Sequence, residues 1–227
     1  NAVVALGLST QCMQLGGLGK CSALAGVARA ASAIRDGACD IALVLSADAP
    51  STQWKADYGG YRAEFQEPVG VGSPPASFGL LMNRYAHQFG SPEQALGKIA
   101  VTQRAHAVHN PNALAKFRKP ITMQDYLGSR WIAPPLRLLD SVMFCDGANA
   151  FLVVSQERAR QLRLERFCCA TAYAEVTNPG ASDPLLPMAF TGFDRIGPHV
   201  LARAGLRPEH VHMFQPYDDF TIAVLLQ

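Results

Sequence analysis

The chain has no long apolar run, little charge and no glycine loop of nucleotide type, and each absence removes a class of function. No apolar stretch approaches the roughly 18 residues of a membrane span. Charged residues make up 17% of the chain and the net charge is +2, so nothing draws it strongly to nucleic acid. No phosphate-cradling glycine motif of a nucleotide site is present. The six cysteines, Cys12, Cys21, Cys39, Cys145, Cys168 and Cys169, follow no zinc spacing. The adjacent pair Cys168-Cys169 is a poor geometry for one tetrahedral metal site, so no metal is expected. Position 1 is Asn1 rather than Met, and no signal-peptide pattern follows it. The thiols are therefore expected to be reduced, most of them as small core residues, and the location cytoplasmic. The apolar run Ile222-Ala-Val-Leu-Leu-Gln227 stops without a cap or a polar tail, so both ends are read as those of an internal piece.

What is present is a chain of 227 residues, 49% hydrophobic, long enough for one or two domains with a core. The first organised unit runs from about Thr10 to Asp48. Gly16-Gly-Leu-Gly19 is a flexible turn, and the alanine-rich run from Cys21 to Arg35 predicts a helix buried nearly all round. Gly37 ends it, and Asp40-Ile-Ala-Leu-Val-Leu-Ser46 predicts a fully buried strand. Helix, glycine and buried strand are half of an α/β unit.

From Pro50 to about Leu139 the texture changes to aromatic, proline and glycine clusters, which reads as a loop-rich insertion. Helices are predicted from Ala76 to Phe89 and from Ser91-Pro92-Glu93 to about His109. A short one runs from Ile121 to Leu127 with Thr122 as its cap. Asp146-Gly147-Ala148 is a turn, and Asn149 to Ser155 is a second buried strand. A helical turn from Glu157 to Leu162 follows, then a strand from Arg166 to Glu175 opening a second domain. Asp194 to Ala204 is helical, Gly205 caps it, Val211 to Gln215 is a strand, and Asp219 opens a last helix.

Taken in order, several stretches resemble the thiolase superfamily, in its sterol-carrier and lipid-transfer-protein branch. They are Ala33-Ile-Arg-Asp-Gly-Ala-Cys-Asp-Ile-Ala-Leu-Val, then Asn110-Pro111 with Pro120-Ile-Thr, then Ser129-Arg130-Trp-Ile-Ala-Pro-Pro-Leu-Arg-Leu-Leu-Asp140. Cys145-Asp146-Gly147-Ala148 and Tyr217-Asp218-Asp219-Phe220-Thr221 complete the set. The resemblance implies an α/β fold of layered αβαβα type, made of two similar halves with a loop insertion in the first. Residues 1–160 would be the first half, with the insertion at about 50–140, and 161–227 the start of the second. The strands Cys39–Ser46 and Asn149–Ser155 would then be neighbours in one sheet. The implied activity is that of an acyl-CoA-dependent enzyme making or breaking a carbon–carbon bond. A coenzyme A thioester is its substrate, and no cofactor is permanently bound. A homodimer and a small OB-fold partner are the implied assemblies. The alternatives are a cysteine-independent retro-aldolase on a β-hydroxyacyl-CoA, and a non-catalytic lipid-CoA-binding subunit.

Thiolases place a cysteine at the N-terminus of the buried helix, where free N–H groups and the helix dipole stabilise a thiolate. Cys21 stands at that helix start. Counted back from Gly37 without a gap, the family's cysteine falls on Lys20. Cys21 is therefore the nucleophile if the helix is one residue shorter, and otherwise a packed helix-start residue, with Cys12 as runner-up. At Tyr217 the branch places a group that holds a water or the thioester oxygen, and a tyrosine hydroxyl can donate there. The plain alternative is a core tyrosine ahead of the next helix. Asp218 is either part of that site or, with Asp219, a cap for the following helix. Arg130 and Arg137 are either surface residues or partners for a CoA phosphate. His106 and His109 lie near a solvated helix end, and His210 and His212 flank a strand without an identifiable partner.

Overall fold

A computed structural model describes residues 2–14, 22–53, 62–177 and 189–227. The helices are α1 (Ala2–Ala5), α2 (Ser22–Arg35), α3 (Pro50–Gln53), α4 (Pro74–Phe89), α5 (Glu93–Val108), α6 (Met123–Leu127), α7 (Gln156–Gln161), α8 (Gly192–Ala204) and α9 (Thr221–Leu225). The strands are β1 (Ile41–Asp48), β2 (Trp131–Ala133), β3 (Leu136–Arg137) and β4 (Gly147–Val154). The chain divides into two compact units, Asn1–Trp54 with Cys145–Glu175, and Lys55–Phe144 with Val176–Gln227. Among the described residues no helix is long and apolar enough to cross a membrane.

In the first unit the alanine-rich helix α2 stops where Gly37 takes a left-handed φ of 75°. The Ala38 amide reaches back to the Ala33 carbonyl at 2.9 Å, a Schellman-type closure. The chain then enters β1, which pairs antiparallel with β4 in the register Ile41↔Val154 to Asp48↔Gly147. The two predicted strands are neighbours as expected, and β4 begins at Gly147, inside the predicted turn. The chain between Asp48 and Gly147 leaves and returns at one end of this ribbon. That end is tied by Asp146, whose carboxylate accepts from the Ser51 backbone N–H at 2.9 Å and from the Ser51 hydroxyl.

The expected burial is corrected. Helix α2 lies against one face of the ribbon, with Gly26 so close to Val44 that an added Cβ would meet Val44 Cγ1 at 2.9 Å. Alternation puts Ala42 and Val44 on that half-covered face, while Ile41, Leu43 and Leu45 point the other way and are exposed. Among the described residues no layer covers that second face, so a run expected to be buried on both sides is covered on one. Cys12, Cys145, Cys168 and Cys169 are exposed and Cys39 is half-buried, against the expectation of core thiols. Cys21 lies outside the described residues.

The second unit holds the buried core, formed by Met82, Leu96, Ala100, Tyr126, Leu136, Phe220 and Ile222. These come from α4, α5, α6, β3 and α9 with the residue before it. Helices α5 and α6 approach closely at Gly97, where a Cβ would stand 2.8 Å from Tyr126 Cδ1. Helix α6 is started by the expected cap, with Thr122 and Asp125 forming a reciprocal capping box. Gly205, with φ 68°, ends α8 as expected.

Two predicted strands are not formed. Arg166–Glu175 carries no ladder, and its end is held to α2 by side chains instead. There Tyr173 donates to Glu175 at 2.6 Å, and Glu175 lies 4.0 Å from Arg29. Val211–Gln215 also runs unpaired, with Met213 and Phe214 exposed. An apolar run becomes a strand only where a neighbouring edge accepts its hydrogen bonds. Among the described residues none does so for these two.

Candidate functional site

The segment Tyr217-Asp218-Asp219-Phe220-Thr221 is anchored from below by one carboxylate. Asp140 is 2% exposed. It accepts from the Tyr126 hydroxyl at 2.9 Å, the Thr221 hydroxyl at 2.5 Å and the Arg137 backbone N–H at 2.8 Å. A buried carboxylate is tolerated only when its lone pairs are filled in this way. Burial first, and then the Asp140 charge, push the Tyr126 hydroxyl far above its ordinary pKa, so it stays a donor. Phe220 stacks on Phe78, with ring centroids 4.0 Å apart. The Val142 backbone N–H donates to the Asp219 carbonyl at 2.8 Å, beside the Ser141–Phe220 bridge.

The backbone of Tyr217 is held by the Gln227 side chain. The Gln227 amide oxygen accepts the Tyr217 N–H at 3.0 Å, and its nitrogen donates to the Tyr217 carbonyl at 2.7 Å and to the Ala223 carbonyl at 2.7 Å. Asp218 accepts from Gln103 Nε2 on α5 at 3.3 Å. Its carboxyl is raised above the usual range because the protein displaces water around it. The hydrogen bond from its own backbone N–H opposes that shift, and the Asp219 charge adds to it.

The capping alternative for the two aspartates is excluded by this geometry. Helix α9 has Phe220 at its N-cap, without a side-chain cap. Asp218 is thus an accessible carboxyl beside Tyr217, oriented from α5. Of the three site residues named from the sequence, Tyr217 and Asp218 are neighbours in the chain, and Cys21 lies outside the described residues.

Arg137 is committed within its own unit. It donates to the Leu127 carbonyl at 2.6 Å and the Ser129 carbonyl at 3.2 Å, pairs with Glu93 at 2.8 Å and lies 3.7 Å from the Trp131 ring centroid. Arg130, in contrast, is exposed. His106 and His109 are exposed at the end of α5, and His210 Nδ1 accepts the Arg207 N–H at 3.2 Å to close a turn. The residues that hold the candidate segment and that sequence reading missed are Gln103, Gln227 and Asp140. Asp140 closes a quoted motif, which is a signal of sorts, but the two glutamines carry none.

A chain of known structure, described as an Ltp2-ChsH2(DUF35) aldolase, superposes with a TM-score of 0.75 and 28% identity. The match covers 93% of this chain and 56% of that one. A 17-hydroxy-3-oxo-4-pregnene-20-carboxyl-CoA lyase of Mycobacterium tuberculosis is 36% identical over 182 residues, 76% of this chain and 45% of the lyase. The benzoylsuccinyl-CoA thiolase subunit BbsB of Thauera aromatica is 29% identical over 152 residues, 66% of this chain and 38% of that subunit. The chain is a thiolase-like protein of the sterol-carrier and lipid-transfer type. This thiolase-like chain spans less than half the length of the two curated relatives. No protein-family model matches it. Its fold is α/β, with helices packed on small antiparallel sheets.

Proposed function

We propose that the chain is part of a CoA-thioester lyase that cleaves a carbon–carbon bond by a retro-aldol step, with Tyr217 and Asp218 as its proton-handling pair. The observation that carries this reading is the placement of Asp218. It caps no helix, is accessible, and stands next to Tyr217 on a segment braced at both ends. The similarity to a steroid CoA lyase and to an aldolase supports the same class.

The chemistry balances without an oxidant or reductant. The β-hydroxyl of the thioester gives up its proton to a base as the Cα–Cβ bond breaks. The bond's electron pair passes to Cα as the thioester enolate, and Cβ becomes a carbonyl. Protonation at Cα releases the shortened acyl-CoA. A tyrosine hydroxyl is suited to donate to the enolate oxygen or exchange the proton, and the neighbouring carboxyl is suited to take or return a proton. The CoA thioester is a substrate, with no bound cofactor in this scheme.

The finer architecture belongs to the same reading. Residues 1–160 are the first half of a layered αβαβα fold, with about 50–140 inserted, and 161–227 open the second half. A homodimer and an OB-fold partner complete the site, in the cytoplasm. The second reading is acyl transfer through Cys21, which the similarity to a thiolase subunit favours.

One comparison separates the two. The full-length protein, with an OB-fold partner, is assayed on 17-hydroxy-3-oxo-4-pregnene-20-carboxyl-CoA, the thioester in the lyase's name. Tyr217→Phe removes only a hydroxyl and is expected to cost about 2–4 kcal/mol in kcat/KM, the scale of one oxyanion donor, with ligand affinity little changed. Cys21→Ala is expected to remain active. A silent Tyr217→Phe beside an inactive Cys21→Ala establishes the thiolase reading instead. If neither change alters turnover, the subunit is non-catalytic.

A further inference from the structure

We propose that Gln103 and Gln227 are a pair of positioning residues that set the Tyr217–Asp218 dipeptide, Gln227 through the tyrosine's backbone and Gln103 through the aspartate's carboxyl. The proposal rests on the lyase reading of that dipeptide and adds to it the residues that orient the pair.

The dipeptide lies between an unpaired run and a helix, with no strand to hold it. Val211–Gln215 forms no ladder, and α9 begins only at Thr221. Backbone there would be loose unless something closed its hydrogen bonds. Gln227 does this at the Tyr217 backbone. Its amide gives and takes at Tyr217 as a facing strand residue would, at 2.7 and 3.0 Å, and a further bond to the Ala223 carbonyl at 2.7 Å fixes the amide plane. A side-chain carboxamide carries a donor and an acceptor side by side, which matches the N–H and C=O of one residue. Glutamate keeps the shape but sets oxygens against two carbonyls.

Gln103 acts on the other residue. Its carbon skeleton is fixed by the middle of α5, three residues beyond the buried Ala100, and its amide nitrogen reaches Asp218 Oδ2 at 3.3 Å. A neutral donor selects one carboxyl rotamer without neutralising it. A lysine here would pull the carboxyl down toward the ordinary range, and a glutamate would raise it further. A neutral carboxamide therefore leaves the carboxyl able to exchange a proton. Asp219, the adjacent carboxylate, is the other charged group facing it.

The test uses the full-length protein and the same steroid CoA thioester. Three variants, Gln103→Met, Gln103→Glu and Gln227→Glu, are compared with wild type and with Asp218→Asn. All three are expected to lower kcat about 10–100-fold, the cost of a small misplacement, with KM changed by less than about threefold. Gln103→Met removes a donor to the charged form and Gln103→Glu adds a like charge, so both move the acid limb of the kcat profile to higher pH. Gln227→Glu lowers kcat but leaves that limb where it was. Unchanged kcat and an unmoved acid limb in the Gln103 variants, beside an inactive Asp218→Asn, overturn the proposal and leave the lyase reading intact. A fully active Asp218→Asn overturns the lyase reading itself. Activity lost only in step with the folded state, followed by circular dichroism, makes both glutamines structural and also overturns the proposal.

Discussion

Thr221 donates its hydroxyl to Asp140 at 2.5 Å across 81 positions of sequence, in a site where both residues are buried. This bond ties the motif that carries Tyr217 to the end of the Trp131–Asp140 stretch. It makes the candidate site an outgrowth of the core of its unit rather than a surface loop.

Asp140→Ala is therefore expected to be severe. It strips partners from the Tyr126 hydroxyl, the Thr221 hydroxyl and the Arg137 N–H. Leaving buried donors unpaired costs roughly 1–3 kcal/mol each, and about 3–5 kcal/mol in sum is the expected loss, since the groups relax together. Urea unfolding of the full-length protein measures it. A loss below about 1 kcal/mol contradicts the network.

Asp218→Asn is expected to do the opposite to stability. The folded-state pKa of Asp218 is raised, so its ionisation opposes folding above that pKa and the penalty is relieved as pH falls. At pH 7 the neutral asparagine removes this penalty, so the melting temperature holds or rises while turnover falls. A clear drop in melting temperature at pH 7 would place Asp218 among the structural carboxylates.

Asp146 has the reverse sign. Its hydrogen bonds from the Ser51 hydroxyl and backbone N–H hold its carboxyl below the ordinary value of 3.8. The stabilisation is present above about pH 4 and is lost as pH falls through the lower folded pKa. Melts of wild type and Asp146→Asn should differ at pH 7 and draw together as the pH falls below the ordinary carboxylate range. A constant gap across that range counts against a contribution from the charge.

Gly97→Ala tests the packing of α5 on α6. A methyl there meets Tyr126 Cδ1 at 2.8 Å, against a buried ring whose hydroxyl is held by Asp140. The helix-propensity gain of roughly 1 kcal/mol is smaller than the 1–3 kcal/mol typical of overpacking. Net destabilisation follows, and a stabilised variant would show that the ring moves freely.

Much of the local structure was legible because its causes are local. Thr122 with Asp125, Gly205 after α8 and Gly37 after α2 satisfy helix ends within a few residues, so the pattern is written in adjacent letters. The β1–β4 pairing was legible only through resemblance, since the partners are a hundred residues apart. Val211–Gln215 was misread because an apolar run states that a face wants cover, not that an edge is at hand. The pair Tyr217-Asp218 was named through the resemblance, but the side chains that hold it, Gln103 and Gln227, were not.

By itself, then, the sequence determined most helix limits, the caps at Thr122, Gly37 and Gly205, the β-prone runs and the order of the motifs, and the first two follow from propensity and from hydrogen bonds closed nearby. The tertiary structure decided which face of the β1–β4 ribbon α2 covers, that Asp140 joins Tyr126 and Thr221, and that Asp218 answers to Gln103, 115 residues away, rather than to α9. A glutamine on a half-exposed helix face looks like any solvated residue. Only the folding of α5 against α9 brings its amide to a carboxyl, because a polar contact at that separation is fixed by packing and leaves no period in the chain.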